Sequence, residues 1–307
     1  MRVVFFGTPD FAVPALRALI GEGFDVVAAV TQPDKPQGRS RSTLVAPPVK
    51  IAAQAEDVPV LQPLRPTGED FYRTIRDLAP DMGVVVAYGH ILKPELLAIP
   101  PRGMVNVHPS LLPELRGAAP VEWAILNGLE KSGVTIMQMG EGLDSGPILH
   151  QIPHRIPDDV TGGELSEHLA EMGAQALVEA LELLEANMLK PVPQKDEDAT
   201  YAPKLTRDVA RITWSEPAAV VARKILALDP RPGAWAELDG REIKLFGAEI
   251  TQGSGKPGEV LTTESGLRIA AADGGIEVRE VQPAGKPRMP AADWVRGRGV
   301  AVGQRFT

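Results

Sequence analysis

Two apolar runs, Arg2–Phe6 and Asp25–Thr31, enclose a helical pattern that stops at Gly21-Glu22-Gly23, and this opening constrains the rest of the chain. Strands joined through a helix run parallel, because the helix carries the chain back across one face of the sheet. Parallel strands are covered on both faces and read as continuous apolar stretches. Asp81–Tyr88 (DMGVVVAY) fits that description best and is expected at the centre, with Met104–His108 as a further strand. The spacing also predicts a short strand over Pro59–Gln62. Helices are expected over Val49–Glu56, over Thr67–Leu78 with Thr67 as its cap, over Lys93–Ala98 and over Ala118–Asn127. Thr8-Pro9-Asp10 reads as a helix start, with a capping hydroxyl, a proline in the first turn and an acid near the positive end. The first turn carries neither G-x-G-x-x-G nor G-x-x-x-x-G-K-S/T, so neither a dinucleotide nor a P-loop nucleotide is indicated.

From Gly133 the pattern changes. Val134–Met139 and Ile148–Ile156 are expected as a hairpin joined through a glycine-rich connection that contains Asp144, and Thr161–Met188 as an amphipathic helix packed on the sheet. Lys190–Arg207, with its prolines and the acidic cluster Asp196-Glu197-Asp198, reads as a linker. Beyond it a helix at Glu216–Leu228 precedes short apolar runs at Ala234–Leu238, Glu242–Ile250, Gly258–Thr262, Gly266–Ala271 and Gly275–Val281. Short strands at regular spacing with glycine turns suggest a small barrel. The fold class is therefore α/β: a Rossmann-like, doubly wound, mostly parallel sheet over residues 1–189, a linker over 190–207, and a C-terminal OB-like β-barrel over 208–307.

The chain of 307 residues contains no cysteine, which excludes disulfides, zinc–thiolate sites and thiol nucleophiles. No apolar run approaches the length of a membrane span, and the N-terminus reads as a strand rather than a leader, so a cytoplasmic location is expected. A net charge of −8 argues against indiscriminate nucleic-acid binding, but from residue 208 onward the charges nearly cancel and basic residues outnumber acids near the end. The stretch Gln32–Pro48 (QPDKPQGRSRSTLVAPP) has no periodicity and is expected as a long exposed loop, whose Lys35, Arg39 and Arg41 are placed to meet phosphates. His150 and His154 are four apart on a strand without a third ligand in register, and His90, His108 and His168 are scattered, so no metal is expected.

The stretch Gly103–Pro120 (GMVNVHPSLLPELRGAAP) carries the chemistry. Asn106 and His108 are two apart on a strand and point to one face, at the end where open α/β sheets bind ligands. With Asp144 they form a set suited to acyl or formyl transfer to an amine. Histidine moves protons near neutral pH, a carboxylate favours its charged form, and an amide NH₂ stabilises a developing oxyanion. Absence of cysteine and of a G-x-S-x-G elbow disfavours a covalent intermediate. The expected mechanism has Asn106 and a protonated His108 stabilising the oxyanion, while Asp144 holds His108 charged.

N-V-H-P-S-L-L-P-x-x-R-G-A-A-P at 106–120 and G-V-T-I-M-Q-M-G-E-G-L-D-S-G at 133–146 resemble the two signatures of the N10-formyltetrahydrofolate-dependent formyltransferases. F-x-G-T-P-D-F-A at 5–12, T-Q-P-D-K-P-Q-G-R at 31–39 and A-R-I-x-W at 210–214 are most similar to the branch whose acceptor is methionyl initiator tRNA. The resemblance implies catalytic roles for Asn106, His108 and Asp144. It implies that Ser110, Leu111, Leu112 and Pro113 lie along the folate, with Val85, Tyr88 and Gly89 bordering the same pocket. It also implies tRNA contacts from Lys35, Arg39 and Arg41 in the loop and from Lys204 and Arg207 beyond it. N10-formyltetrahydrofolate is the expected formyl donor, and nothing demands more than a monomer. The rival expectations are a folate-dependent formyltransferase or formyl-folate hydrolase with a small substrate, and a non-catalytic tRNA-binding protein built on the barrel.

Overall fold

A computed structural model describes residues 1–37, 43–263 and 266–307. In chain order the elements begin with β1 (Arg2–Gly7), α1 (Val13–Gly21), β2 (Asp25–Val30), β3 (Lys35–Gln37), β4 (Thr43–Val45) and α2 (Pro48–Ala55). Next come β5 (Val60–Leu61), α3 (Glu69–Asp77), β6 (Met82–Val86), α4 (Pro94–Leu97), β7 (Met104–His108), β8 (Arg116–Gly117) and α5 (Pro120–Leu126). They are followed by β9 (Lys131–Gln138), β10 (Ile148–Arg155), α6 (Gly162–Glu185), β11 (Tyr201–Ala202) and α7 (Ala218–Ala227). The last are β12 (Ala234–Leu238), β13 (Arg241–Thr251), β14 (Val260–Thr262), β15 (Leu267–Ala270), β16 (Gly275–Pro283), β17 (Met289–Pro290) and α8 (Ala291–Arg296).

The chain forms two compact units. One comprises Met1–Gly117, Ser132–His154 and Ser166–Tyr201, and the other comprises Ala118–Lys131, Arg155–Leu165 and Ala202–Thr307. The first is built on a seven-stranded sheet of order β10-β9-β7-β6-β1-β2-β5. β1, β2, β5, β6 and β7 pair in parallel and β9 joins β7 antiparallel. The chain grows outward from β1 through β2 to β5, then returns to the other side of β1 to lay down β6. That reversal puts the topological switch between β1 and β6, where sheets of this kind leave a crevice beyond their carboxyl ends.

The sheet core is the apolar face of these strands. Val4, Phe6, Val27, Val30, Val85 and Met104 are buried together with Tyr72, Ile75 and Tyr88. Phe6 and Tyr88 meet edge to face with ring centroids 5.5 Å apart, a geometry their ring quadrupoles favour. On β7 the alternation sets the chemistry. Val107 faces Gly173 of α6 so closely that a Cβ added there would lie 2.8 Å from Val107 Cγ1. Asn106 and His108 therefore project from the opposite face.

The second unit carries a six-stranded antiparallel sheet of order β12-β13-β16-β15-β14, with β17 on β16. The last residues tie its edges together. Phe306 bridges Leu238 of β12 and Arg305 bridges Glu259 ahead of β14. The N–H of Thr307 and the carbonyl of Glu237 are 2.8 Å apart, and Val260 N–H donates to Gln304 O at 2.9 Å. The curled sheet surrounds Leu245, Phe246, Ile269, Val278 and Phe306, all buried.

Three local expectations are corrected. Thr8 does not cap a helix: its hydroxyl donates to the Tyr88 carbonyl at 2.9 Å, and a 3₁₀ turn at Asp10–Ala12 precedes α1. Thr67 does not cap α3 either. Gly68 occupies that position with φ of 102°, a conformation open to glycine and closed to a β-branched residue, and no side chain caps the helix. The loop at 32–48 is not irregular throughout, since β3 and β4 pair antiparallel as its two arms.

Gly133 in β9 allows a close approach of β10 and of the loop after β7. A Cβ there would lie 2.3 Å from the Ile152 carbonyl oxygen and 2.7 Å from Leu111 Cδ2. Gly133→Ala is expected to destabilise the first unit by about 1–3 kcal/mol through overpacking, read as a lower denaturant midpoint. An unchanged midpoint would contradict the packing described.

Candidate active site

The site forms where the loop after β7 folds back on its own strand. His108 is buried and Asn106 partly buried at the β7 end. Leu115, with φ of 58°, turns its carbonyl toward the imidazole, and the Nε2···O distance is 3.0 Å. A carbonyl oxygen only accepts, so Nε2 carries the hydrogen and donates. Nδ1 then faces Asp144, whose Oδ2 is 3.8 Å away. That separation is longer than a direct hydrogen bond. Asp144 lies in the left-handed region with φ of 48°, and its Oδ2 accepts the Gly117 N–H at 2.9 Å. Among the described residues no group hydrogen-bonds the Asn106 amide, which leaves its donors free for a ligand.

Burial pushes the His108 pKa below its ordinary value; the Asp144 charge and the Leu115 carbonyl pull the other way, and burial prevails. Burial thus works against the expected protonated form, while the Asp144 charge works for it. The lowered pKa favours the neutral imidazole, and in that form the Leu115 bond places the hydrogen on Nε2 and the lone pair on Nδ1.

The Ser110–Pro113 loop is braced from the sheet. Ser110 Oγ donates to the Glu114 carbonyl at 2.6 Å, and Thr135 Oγ1 donates to the Ser110 carbonyl at 2.7 Å. Thr135 in turn accepts the Leu112 N–H at 3.1 Å, and Gln151 Nε2 donates to Thr135 Oγ1 and to the Leu112 carbonyl, both at 2.9 Å. Leu112 is buried, whereas Leu111 and Pro113 are part-exposed. The side chains of Val85 and Tyr88 lie in the core instead of on an open wall. Among the described residues the Tyr88 phenol finds no hydrogen-bond partner, and burial raises its pKa to about 12. What Tyr88 offers the crevice is its carbonyl, gripped by Thr8 and by Gln32 Nε2 at 3.0 Å. Gly89, exposed and with φ of 83°, keeps the strand end open.

The base of the β3–β4 arm is fixed by charge. Lys50 Nζ reaches both carboxylate oxygens of Asp34 at 2.9 Å, and Gln62 Nε2 donates to Asp34 Oδ1 at 2.8 Å and to the Gln32 carbonyl at 2.9 Å. Lys35 is exposed on that arm; Arg39 and Arg41 lie outside the described residues. In the second unit Lys204 is exposed, and the Arg207 guanidinium stacks 4.3 Å over Trp235 and pairs with Glu242 at 2.5 Å.

The sequence reading missed the polar braces. Arg116, a motif residue given no role, is buried and bound to Gln194 and Asp196 of the stretch read as linker. The other histidines sit elsewhere: His150 pairs with Glu179 at 3.0 Å, the tilted rings of His154 and His168 meet with centroids 4.3 Å apart, and His90 lies 5.4 Å from the Tyr88 ring. Among the described residues no group of three or more His, Asp or Glu is arranged to hold a metal.

A buried histidine, an amide with no partner among the described residues and a carboxylate gather at the end of β7, and comparison with known proteins gives the class. Residues 1–181 match the formyl transferase family and residues 204–299 match the formyl transferase C-terminal domain. The chain belongs to the formyl transferase family. Its full-length relatives include proteins named methionyl-tRNA formyltransferase. The one from Syntrophus aciditrophicus is 43% identical over 99% of this chain and 98% of its own, and the one from Magnetococcus marinus is 46% identical over the same shares. Among solved structures, HypX from Aquifex aeolicus in complex with tetrahydrofolic acid superposes with a TM-score of 0.67 at 22% identity, covering 96% of this chain and 47% of that one. The methionyl-tRNA formyltransferase from Clostridium thermocellum has a TM-score of 0.58 at 13% identity, over 92% and 98%. At these identities the structures bear on the fold.

A base kept neutral by burial loses function on acidification. The kcat/KM for formyl transfer is expected to fall as pH drops through a value below the ordinary histidine pKa of about 6.5, with no loss from His108 on the alkaline side. A profile that instead falls as pH rises through neutrality would mean that the working form is the imidazolium.

Proposed function

We propose that this chain transfers the formyl group of N10-formyltetrahydrofolate to the α-amino group of methionyl initiator tRNA. The observation that carries the reading is identity of 43–46% over nearly the full length of relatives bearing that activity in their names, combined with the Asn106–His108–Asp144 geometry. The residues suit the donor: an unpartnered amide, a braced Ser110–Pro113 loop and an open strand end at Gly89.

The amine nitrogen attacks the formyl carbon and a tetrahedral centre forms. Asn106 donates from its side-chain NH₂ to the oxygen as negative charge develops there. His108 accepts the amine proton at Nδ1, becoming a cation whose charge Asp144 then stabilises. The bond from the formyl carbon to N10 breaks, and the proton passes from His108 to that nitrogen. Two groups thus act in sequence with no net proton change at the enzyme.

The tRNA is met by Lys35 of β3, by Arg39 and Arg41 of the same stretch of sequence, and by Lys204 and Arg207. The division into a catalytic domain (1–189), a linker (190–207) and a tRNA-binding barrel (208–307) follows the same logic, the barrel serving a macromolecular acceptor. The enzyme acts as a cytoplasmic monomer.

Single-turnover formylation of charged initiator tRNA tests the assignment. Asn106→Ala should slow the transfer by about 10²–10³, the usual effect of losing one oxyanion donor. A near-normal rate in that variant would sink the mechanism, and no formylation by the parent enzyme would sink the function.

A further inference from the structure

The stretch between α6 and Tyr201 has the composition of a linker, yet its side chains close around the active site. Gln194 Nε2 donates to two carbonyls of the Asp144 turn, that of Asp144 at 2.9 Å and that of Gly146 at 2.7 Å. Its Oε1 accepts from Arg116 Nε at 3.0 Å and Nη2 at 2.8 Å. A guanidinium cannot accept and a carbonyl cannot donate, so the Gln194 amide has a single permitted orientation. Thr200 grips the other side. Its Oγ1 accepts the Leu115 N–H at 2.8 Å, its carbonyl accepts the Arg116 N–H at 2.9 Å, and its N–H donates to the Pro113 carbonyl at 3.3 Å.

These bonds end one step from the chemistry. Leu115 is the residue whose carbonyl holds His108 Nε2, and Asp144 is the residue that faces His108 Nδ1. We propose that Gln194 and Thr200 are positioning residues for the transfer, Gln194 setting the Asp144 turn and Thr200 setting Leu115, so that together they fix the His108–Asp144 spacing and the imidazole tautomer. The inference deepens the formyl-transfer reading and rests on it. A mere tether would need no buried cation, whereas Arg116 is 4% exposed and gives its guanidinium to Gln194 and Asp196. Asp144 is the charged group acting on His108, so any drift of its turn is felt there.

Gln194→Met keeps the length of the side chain and removes both hydrogen-bonding roles without adding charge. Its kcat, per folded enzyme, should fall on the order of 10–100-fold, the effect of a displacement of about 1 Å in a reacting group. The KM for both substrates should hold, and the acidic limb of the pH profile should move lower as Asp144's pull weakens. Thr200→Val should likewise slow turnover, and Thr200→Ser, which restores the acceptor for Leu115, should recover it. NMR titration of His108 in the ligand-free protein supplies a readout independent of activity, with a lower midpoint expected in Gln194→Met. Unchanged kcat and an unmoved His108 midpoint would overturn the proposal, as would a lowered melting temperature with normal turnover per folded molecule. If the parent enzyme failed to formylate methionyl-tRNA while the His108 midpoint still moved, the function reading would fall and the positioning role would stand.

Discussion

The hydrogen bond from His108 Nε2 to the Leu115 carbonyl decides what the site can do. It consumes the one ring proton of a neutral imidazole and leaves the lone pair on Nδ1, on the side of Asp144. It exists because the chain reverses within seven residues of the strand end, with Leu115 in the left-handed region. Burial completes the effect by disfavouring the charged ring. A cation would have to be created by the reaction itself, at the moment the amine gives up its proton, and Asp144 stands where that cation is stabilised. Stabilisation that arises only during the reaction accelerates it, whereas a resident cation would spend the same interaction on the ground state.

Much of the surrounding fold keeps this loop in place. α6 lies close against Val107 because residue 173 is glycine, which directs Asn106 and His108 to the opposite face. Thr135, opposite His108 in the β7–β9 register, spends its hydroxyl on the Ser110 carbonyl and the Leu112 N–H. On the far side of the switch point Thr8 and Gln32 converge on the Tyr88 carbonyl, and Gln62 links Gln32 to the Asp34–Lys50 pair at the base of the β3–β4 arm.

The strands and helices were legible because they leave periodic signals, and the candidate trio stood out because its residues lie in motif-length stretches. The apolar runs at Phe5 and Val84 had no alternative to a buried parallel sheet, and Asn106 with His108 shared a face by simple alternation. The failures have a common physical cause. Thr8 looked like a cap because local chemistry favours one, but a carbonyl eighty residues away takes its hydroxyl. Gln194 and Thr200 sat in a polar, proline-rich stretch, and no composition rule separates a solvated glutamine from one bound at both ends. The charge state of His108 needed its burial, which a sequence with a neighbouring carboxylate does not reveal. Long-range polar pairing carries no period.

The ring nitrogens of His108 report directly on the central claim. ¹⁵N chemical shifts of the imidazole in the ligand-free protein at neutral pH should identify a neutral ring protonated at Nε2. An imidazolium at that pH, or a neutral ring protonated at Nδ1, would contradict the account.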